Sequence, residues 1–108
     1  EFFFFFWYIA NHIKPLFWRG KDLGEAISSI NVPEGCSIVA LAELAICDIL
    51  GSKSVEPQDE LLNFLQDFVS SRKEALNIAA QYGLQYEVLK QLNQGDTPTE
   101  ALKEWDLL

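Results

Sequence analysis

The sequence predicts an all-α fold, a small bundle of five to seven mostly short helices led by an aromatic N-terminal helix. Three observations carry that expectation. No segment alternates apolar and polar residues with period two, so nothing reads as a half-buried strand. Apolar residues recur at helical spacing, as in Leu61, Leu62, Leu65, Phe68 and Val69. Helix-start signals also recur, the clearest being Thr97-Pro98-Thr99-Glu100, which joins an N-cap, an N1 proline and an N3 glutamate.

The first element runs from Phe2 to about Ile13 and stops at Lys14-Pro15, because the residue before proline avoids helical angles. Its apolar run, Phe2 to Ala10, includes five phenylalanines, Trp7 and Tyr8, and Phe17-Trp18 follows. Gly20-Lys21-Asp22 makes a turn. Asp22 then caps a short helix reaching about Ile30, with Glu25 placed to bond back. A loop covers residues 31–35. Cys36 to Leu50 carries only Glu43 and Asp48 as charges, and Ala40, Ala42 and Ala45 leave room for close neighbours. A helix apolar almost all round belongs at the centre of a bundle.

Residues 51–56 read as a linker, dividing one 108-residue domain into sub-units 1–50 and 57–108. Pro57 opens the next helix, and Ser71-Arg72-Lys73-Glu74 reads as a capping box that starts another, continuing to Tyr82. Gly83 ends it. Leu84, Val88, Leu89 and Leu92 mark a further short helix closed by Gly95. The last helix turns Ala101, Leu102 and Trp105 towards the core.

The formal net charge of −8 is spread along the chain. Residues 1–56 hold seven acids and four bases, and residues 57–108 hold nine acids and four bases. No Lys/Arg cluster is present to neutralise a run of phosphates, which argues against a charge-driven nucleic-acid binder. Cys36 and Cys47 lie eleven residues apart. On one helix that is roughly 16 Å, beyond the ~7 Å reach of a disulfide. They read as two buried free thiols in a reducing, cytoplasmic setting. The chain has no methionine, which predicts that Glu1 is not the natural start, and no secretory signal is recognisable.

No signature of catalysis stands out. His12 is the single histidine and the cysteines lack zinc spacing, so no metal and no cofactor is expected. Glu43 and Asp48, five apart on a helix, sit about 140° off a common face and make a poor acid–base pair. A non-enzymatic protein is expected.

The aromatic head is the main functional signal. Fully burying one such ring is worth roughly 1.5–3 kcal/mol, so the segment belongs in a core, against a partner, or at a membrane interface. The expected function is a protein–protein interaction or self-association module. Phe3, Phe4, Trp7, Tyr8, Phe17 and Trp18 are the candidate contact residues, with a second copy or another protein as partner. Trp7, Tyr8 and Trp18 beside Lys14, Arg19 and Lys21 also suit contact with a membrane surface. Two alternatives come from other classes. Ala79, Gly83, Leu84 and Leu89 resemble the spacing of a helix-turn-helix, which implies a DNA-binding regulator reading bases through Gln85, Gln91, Asn93 and Gln94. The acidic balance also fits an inhibitor that covers a basic toxin or nucleic-acid enzyme.

Overall fold

The computed structural model describes residues 2–52 and 58–108, with the side chain of Phe2 left aside. Among these residues the chain forms six α-helices, one 3-10 turn and no strand. Helix α1 covers Phe2–Asn11 and is followed by the 3-10 turn Lys14–Phe17. Next come α2 (Leu23–Ser28), α3 (Ile38–Gly51), α4 (Asp59–Ala80), α5 (Gln85–Asn93) and α6 (Pro98–Glu104). The all-α expectation and most helix boundaries therefore hold.

The local signals act as their chemistry requires. Asp22 accepts the Glu25 amide at 3.3 Å and starts α2. Thr97 and Glu100 exchange both bonds of a capping box at 3.1 and 3.0 Å and start α6. Gly83 and Gly95 take the left-handed conformation that stops α4 and α5.

One long helix organises the packing. Leu65, Phe68, Val69, Arg72, Ala75 and Ala79 form the buried stripe of α4 at helical spacing. Its first half completes a core with Trp7, Trp18, Ile27, Ile38, Leu41, Ala42 and Ala45. Its second half packs Ala75 and Ala79 against Val88, Leu92, Ala101 and Leu102. Small residues at Ala42, Ala45, Ala75 and Ala79, all buried, let the helices approach closely. Leu41 and Leu65 meet in one cluster, so residues on both sides of the expected linker share a core. Of that linker, residues 53–56 lie outside the described residues, as does Pro57.

Four expectations are corrected. Ser71 does not start a helix: its hydroxyl donates to the Phe68 carbonyl at 3.0 Å, a bond made inside a continuous helix, and α4 runs through to Ala80. The two cysteines share no helix and are not both buried, because Cys36 precedes α3 and Cys47 faces outwards. Helix α3 is not covered all round, since Leu44 and Leu50 on its later turns are exposed. Trp105 lies past the end of α6 with its edge outside the core, its indole N–H donating to the Gln91 side-chain oxygen.

Candidate docking surface

Helix α1 carries aromatic side chains on both its inward and its outward arc. Its inward arc is anchored by four residues. Trp7 is buried in the first core. The Phe4 ring lies on Gly35, so close that a Cβ there would meet Phe4 Cζ at 2.7 Å. The Tyr8 hydroxyl accepts the Ser37 amide at 3.0 Å. Asn11 is buried and satisfies itself by donating from Nδ2 to the Trp7 carbonyl at 2.8 Å. Burial is the main reason that the Tyr8 phenol and the neighbouring Cys36 thiol both titrate above their ordinary ranges.

The outward arc is made of rings and aliphatic chains. Phe3, Phe5 and Phe6 are 63, 61 and 63% exposed, Ile9 is 49% exposed, and Ala10 joins them. At 100° per residue, the inward set spans about 100° and the outward set about 160°, so the two divide the helix cleanly. Beyond α1 the same character continues in Ile13, 50% exposed, and Phe17, 61% exposed. The Phe5 and Phe6 rings meet edge to face with centroids 6.4 Å apart. From Phe2 to Ile13 there is no Asp, Glu, Lys or Arg. Where this surface ends, Lys14, Lys21, Asp22 and Glu25 rim a shallow open groove of about 630 Å³ floored by Phe17, Trp18 and Ile30. Arg19, on the same segment, pairs with Glu60 at the start of α4.

The six sequence-derived contact residues thus divide. Phe3 and Phe17 stand on the surface, Phe4 and Tyr8 are half-buried hinges of the inward face, and Trp7 and Trp18 are core. Trp18 packs on Phe68 with ring centroids 5.2 Å apart. Phe5, Phe6, Ile9 and Ile13 are surface residues that sequence reasoning did not single out. The signal that finds them is the helical projection around Asn11, once that residue is known to point inwards.

Two of the four base-reading candidates of the helix-turn-helix resemblance are occupied within the chain. Asn93 bonds Ile38 N and the Cys36 carbonyl at 2.8 and 3.1 Å. Gln91 holds Trp105 and Asp96. Gln85 turns its side-chain oxygen into the interior, and Gln94 is exposed. Among the described residues no group of His, Cys, Asp and Glu side chains is arranged to hold a metal ion. None of the described helices is long and apolar enough to cross a membrane. No protein-family model, curated protein or solved structure matches this chain.

Proposed function

We propose that the chain is a non-enzymatic docking domain that binds a protein surface through the outward arc of α1 and its continuation at Ile13 and Phe17. The observation that carries this reading is that α1 is aromatic on both arcs, only one of which its own core covers. The one amide side chain in the helix, Asn11, is buried and bonded to its own backbone, while three phenylalanines and an isoleucine face out. Turning the helix over would bury these rings but expose Trp7, Phe4 and Tyr8. The domain's own core therefore covers one arc and leaves the other in water, where each exposed ring forgoes part of the roughly 1.5–3 kcal/mol that its burial yields. Contiguous apolar surface of this kind marks interaction sites. Phenylalanine is also among the residue types enriched at the centre of interfaces.

Binding works by desolvation of the rings over a scaffold that is already ordered. Trp7, Phe4 and Tyr8 lock the helix from behind, so little conformational entropy is lost on association. The acidic exterior, with a net charge of −8, disfavours non-specific adhesion and nucleic acid.

The test is chromatography of an extract in which the protein is expressed at its native level, wild type beside Phe3→Asp/Phe6→Asp. Wild type should run in an assembly well above its 12.3 kDa. The double variant, with helicity unchanged by circular dichroism, should run at the mass of the free chain. A wild type that runs as the free chain in extract and in pure form overturns the reading.

A further inference from the structure

We infer that the occupant of this face is a second copy of the chain, with the two α1 helices packed antiparallel about a two-fold axis. This rests on the docking reading above and adds the partner to it. The first argument is area. A large aromatic side chain offers about 150–250 Å², and Phe3, Phe5, Phe6 and Phe17 each expose about three-fifths of theirs. With half of Ile9 and of Ile13 added, the face presents about 600–700 Å² per copy, close to the ~800 Å² per partner of a standard stable interface. A surface that is ring-dense and free of charge from residue 2 to residue 13 is also self-complementary, as an isologous contact demands. Its rings already adopt the edge-to-face order that a second set can extend.

The helix macrodipole sets the orientation. Lys14 and Lys21 lie beyond the C-terminal end of α1, but Asp22 and Glu25 share their groove and Arg19 pairs with Glu60, so side-chain charge does not rank the two orders. Parallel pairing sets like ends of the two macrodipoles side by side. Antiparallel pairing sets the positive N-terminal end of each α1 beside the negative C-terminal end of its partner. Net charge disfavours an anionic lipid surface, which a molecule of net charge −8 approaches against its own field.

The experiment is the molar mass of the purified full chain by light scattering, from low to high micromolar concentration, with and without vesicles of phosphatidylcholine and phosphatidylserine. The expected result is a concentration-dependent rise to twice 12.3 kDa that needs no lipid. Phe6→Asp should weaken that self-association at least about thirtyfold with helicity retained, and Phe6→Gln serves as the second variant if the aspartate disturbs the helix. In a Cys47→Ser background, Ile9→Cys, which keeps the Phe6 ring, should link to itself on oxidation and Lys21→Cys should not. A chain that stays at 12.3 kDa at every concentration overturns the proposal, as does a dimer indifferent to both Phe6 variants. A monomer that floats with the vesicles assigns the face to lipid and overturns it too. Efficient self-linking at Lys21→Cys overturns the antiparallel order. A monomer when pure that runs in a larger protein assembly in extract removes the second copy while leaving the docking reading standing.

Discussion

The side-chain oxygen of Asn93, the last residue of α5, accepts the backbone N–H of Ile38, the first residue of α3, at 2.8 Å. Its amide nitrogen donates to the Cys36 carbonyl at 3.1 Å. The neighbouring donors are also satisfied. Ser37 N bonds the Tyr8 hydroxyl, and Val39 N and Ala40 N bond the Ser37 hydroxyl oxygen. Four successive amides at the start of α3 are thus satisfied by side chains from α1, α5 and the cap itself, where a helix otherwise leaves its first N–H groups without partners. The arrangement ties α1 and α5 to α3 through polar bonds.

Removing Asn93 strands two half-buried groups at once. Asn93→Ala should therefore cost about 1–3 kcal/mol. Asn93→Asp keeps the acceptor and sets a negative charge at a helix N-terminus, where it is favourable, so its loss should be smaller. Urea unfolding of the three proteins at neutral pH provides the comparison, and equal loss in both variants would contradict the capping role.

Adjacent rings on α1 should respond in opposite ways. Trp7 is buried, and Trp7→Ala should cost about 3–5 kcal/mol. Phe6 is exposed, and Phe6→Ala should stay within about 0.5 kcal/mol of wild type when both are monomeric. Thermal unfolding at low concentration separates the two effects. If Phe6→Ala destabilises the dilute monomer as much as Trp7→Ala, the outward arc of α1 is part of the core after all.

The helices were legible in the sequence because capping and termination are local. Asp22, Thr97, Glu100, Gly83 and Gly95 each act on backbone within a few residues, and the structure uses them as written. The orientation of α1 was not legible, because composition alone cannot rank faces in a run where nearly every position is apolar. Asn11 misleads in the same way: polarity points it to solvent, yet a bond to the Trp7 carbonyl makes its burial cheap. Ser71 failed as a start signal for a related reason. A serine hydroxyl can bond back to the i−3 carbonyl as readily as it can cap, and only the packing of α4 on both cores decides.

The turn between α5 and α6 passes close to α2 at Gly24. A Cβ added to Gly95 would meet the Gly24 carbonyl oxygen at 2.5 Å, and Gly95 also has a φ of 107°. Gly83, with φ of 72°, faces open space. Gly83→Ala should therefore carry only the backbone penalty of about 1–2 kcal/mol, and Gly95→Ala should cost clearly more because backbone must also move. Denaturation midpoints of the two variants rank them, and equal midpoints would mean that the contact between Gly24 and Gly95 yields without cost.

The capping box of α6 should weaken in acid. The Thr97 amide, followed by the Thr97 side chain, holds the Glu100 carboxyl below its ordinary range. A depressed folded-state value means that the unfolded chain binds the proton more readily. The stabilisation is fully present above the unfolded value and is lost as pH falls through the folded one. Glu100→Gln keeps an acceptor but cannot titrate, so the stability difference between wild type and variant should shrink as the pH falls below the usual carboxylate range. Unfolding measured from pH 7 down to about pH 3 supplies that curve, and a difference independent of pH would show that the charge of Glu100 adds nothing to the cap.

Arg72 stands between the two cores as a buried cation, and among the described residues no carboxylate pairs with it. Its guanidinium lies 3.7 Å from the Phe68 ring centroid, and one terminal nitrogen reaches the Phe68 carbonyl and the Ser71 hydroxyl at 3.4 and 3.1 Å. The buried Nε has no partner. Burial pushes the guanidinium pKa down to about 10, the direction expected when the charged form has lost water and gained no counter-ion. The ring contact offers about 0.5–2 kcal/mol. Leaving water without an ionic partner costs several kcal/mol per charge. The penalty is the larger of the two, so Arg72→Met, which keeps the length of the stem and drops the charge, should raise stability by about 1 kcal/mol. Arg72→Ala should lower it, because the stem fills space between Phe68 and Ala75 on the buried stripe of α4. Thermal melts of both variants decide the balance, and a Met variant that melts well below wild type would mean that the ring contact and the two hydrogen bonds outweigh the cost of burying the charge.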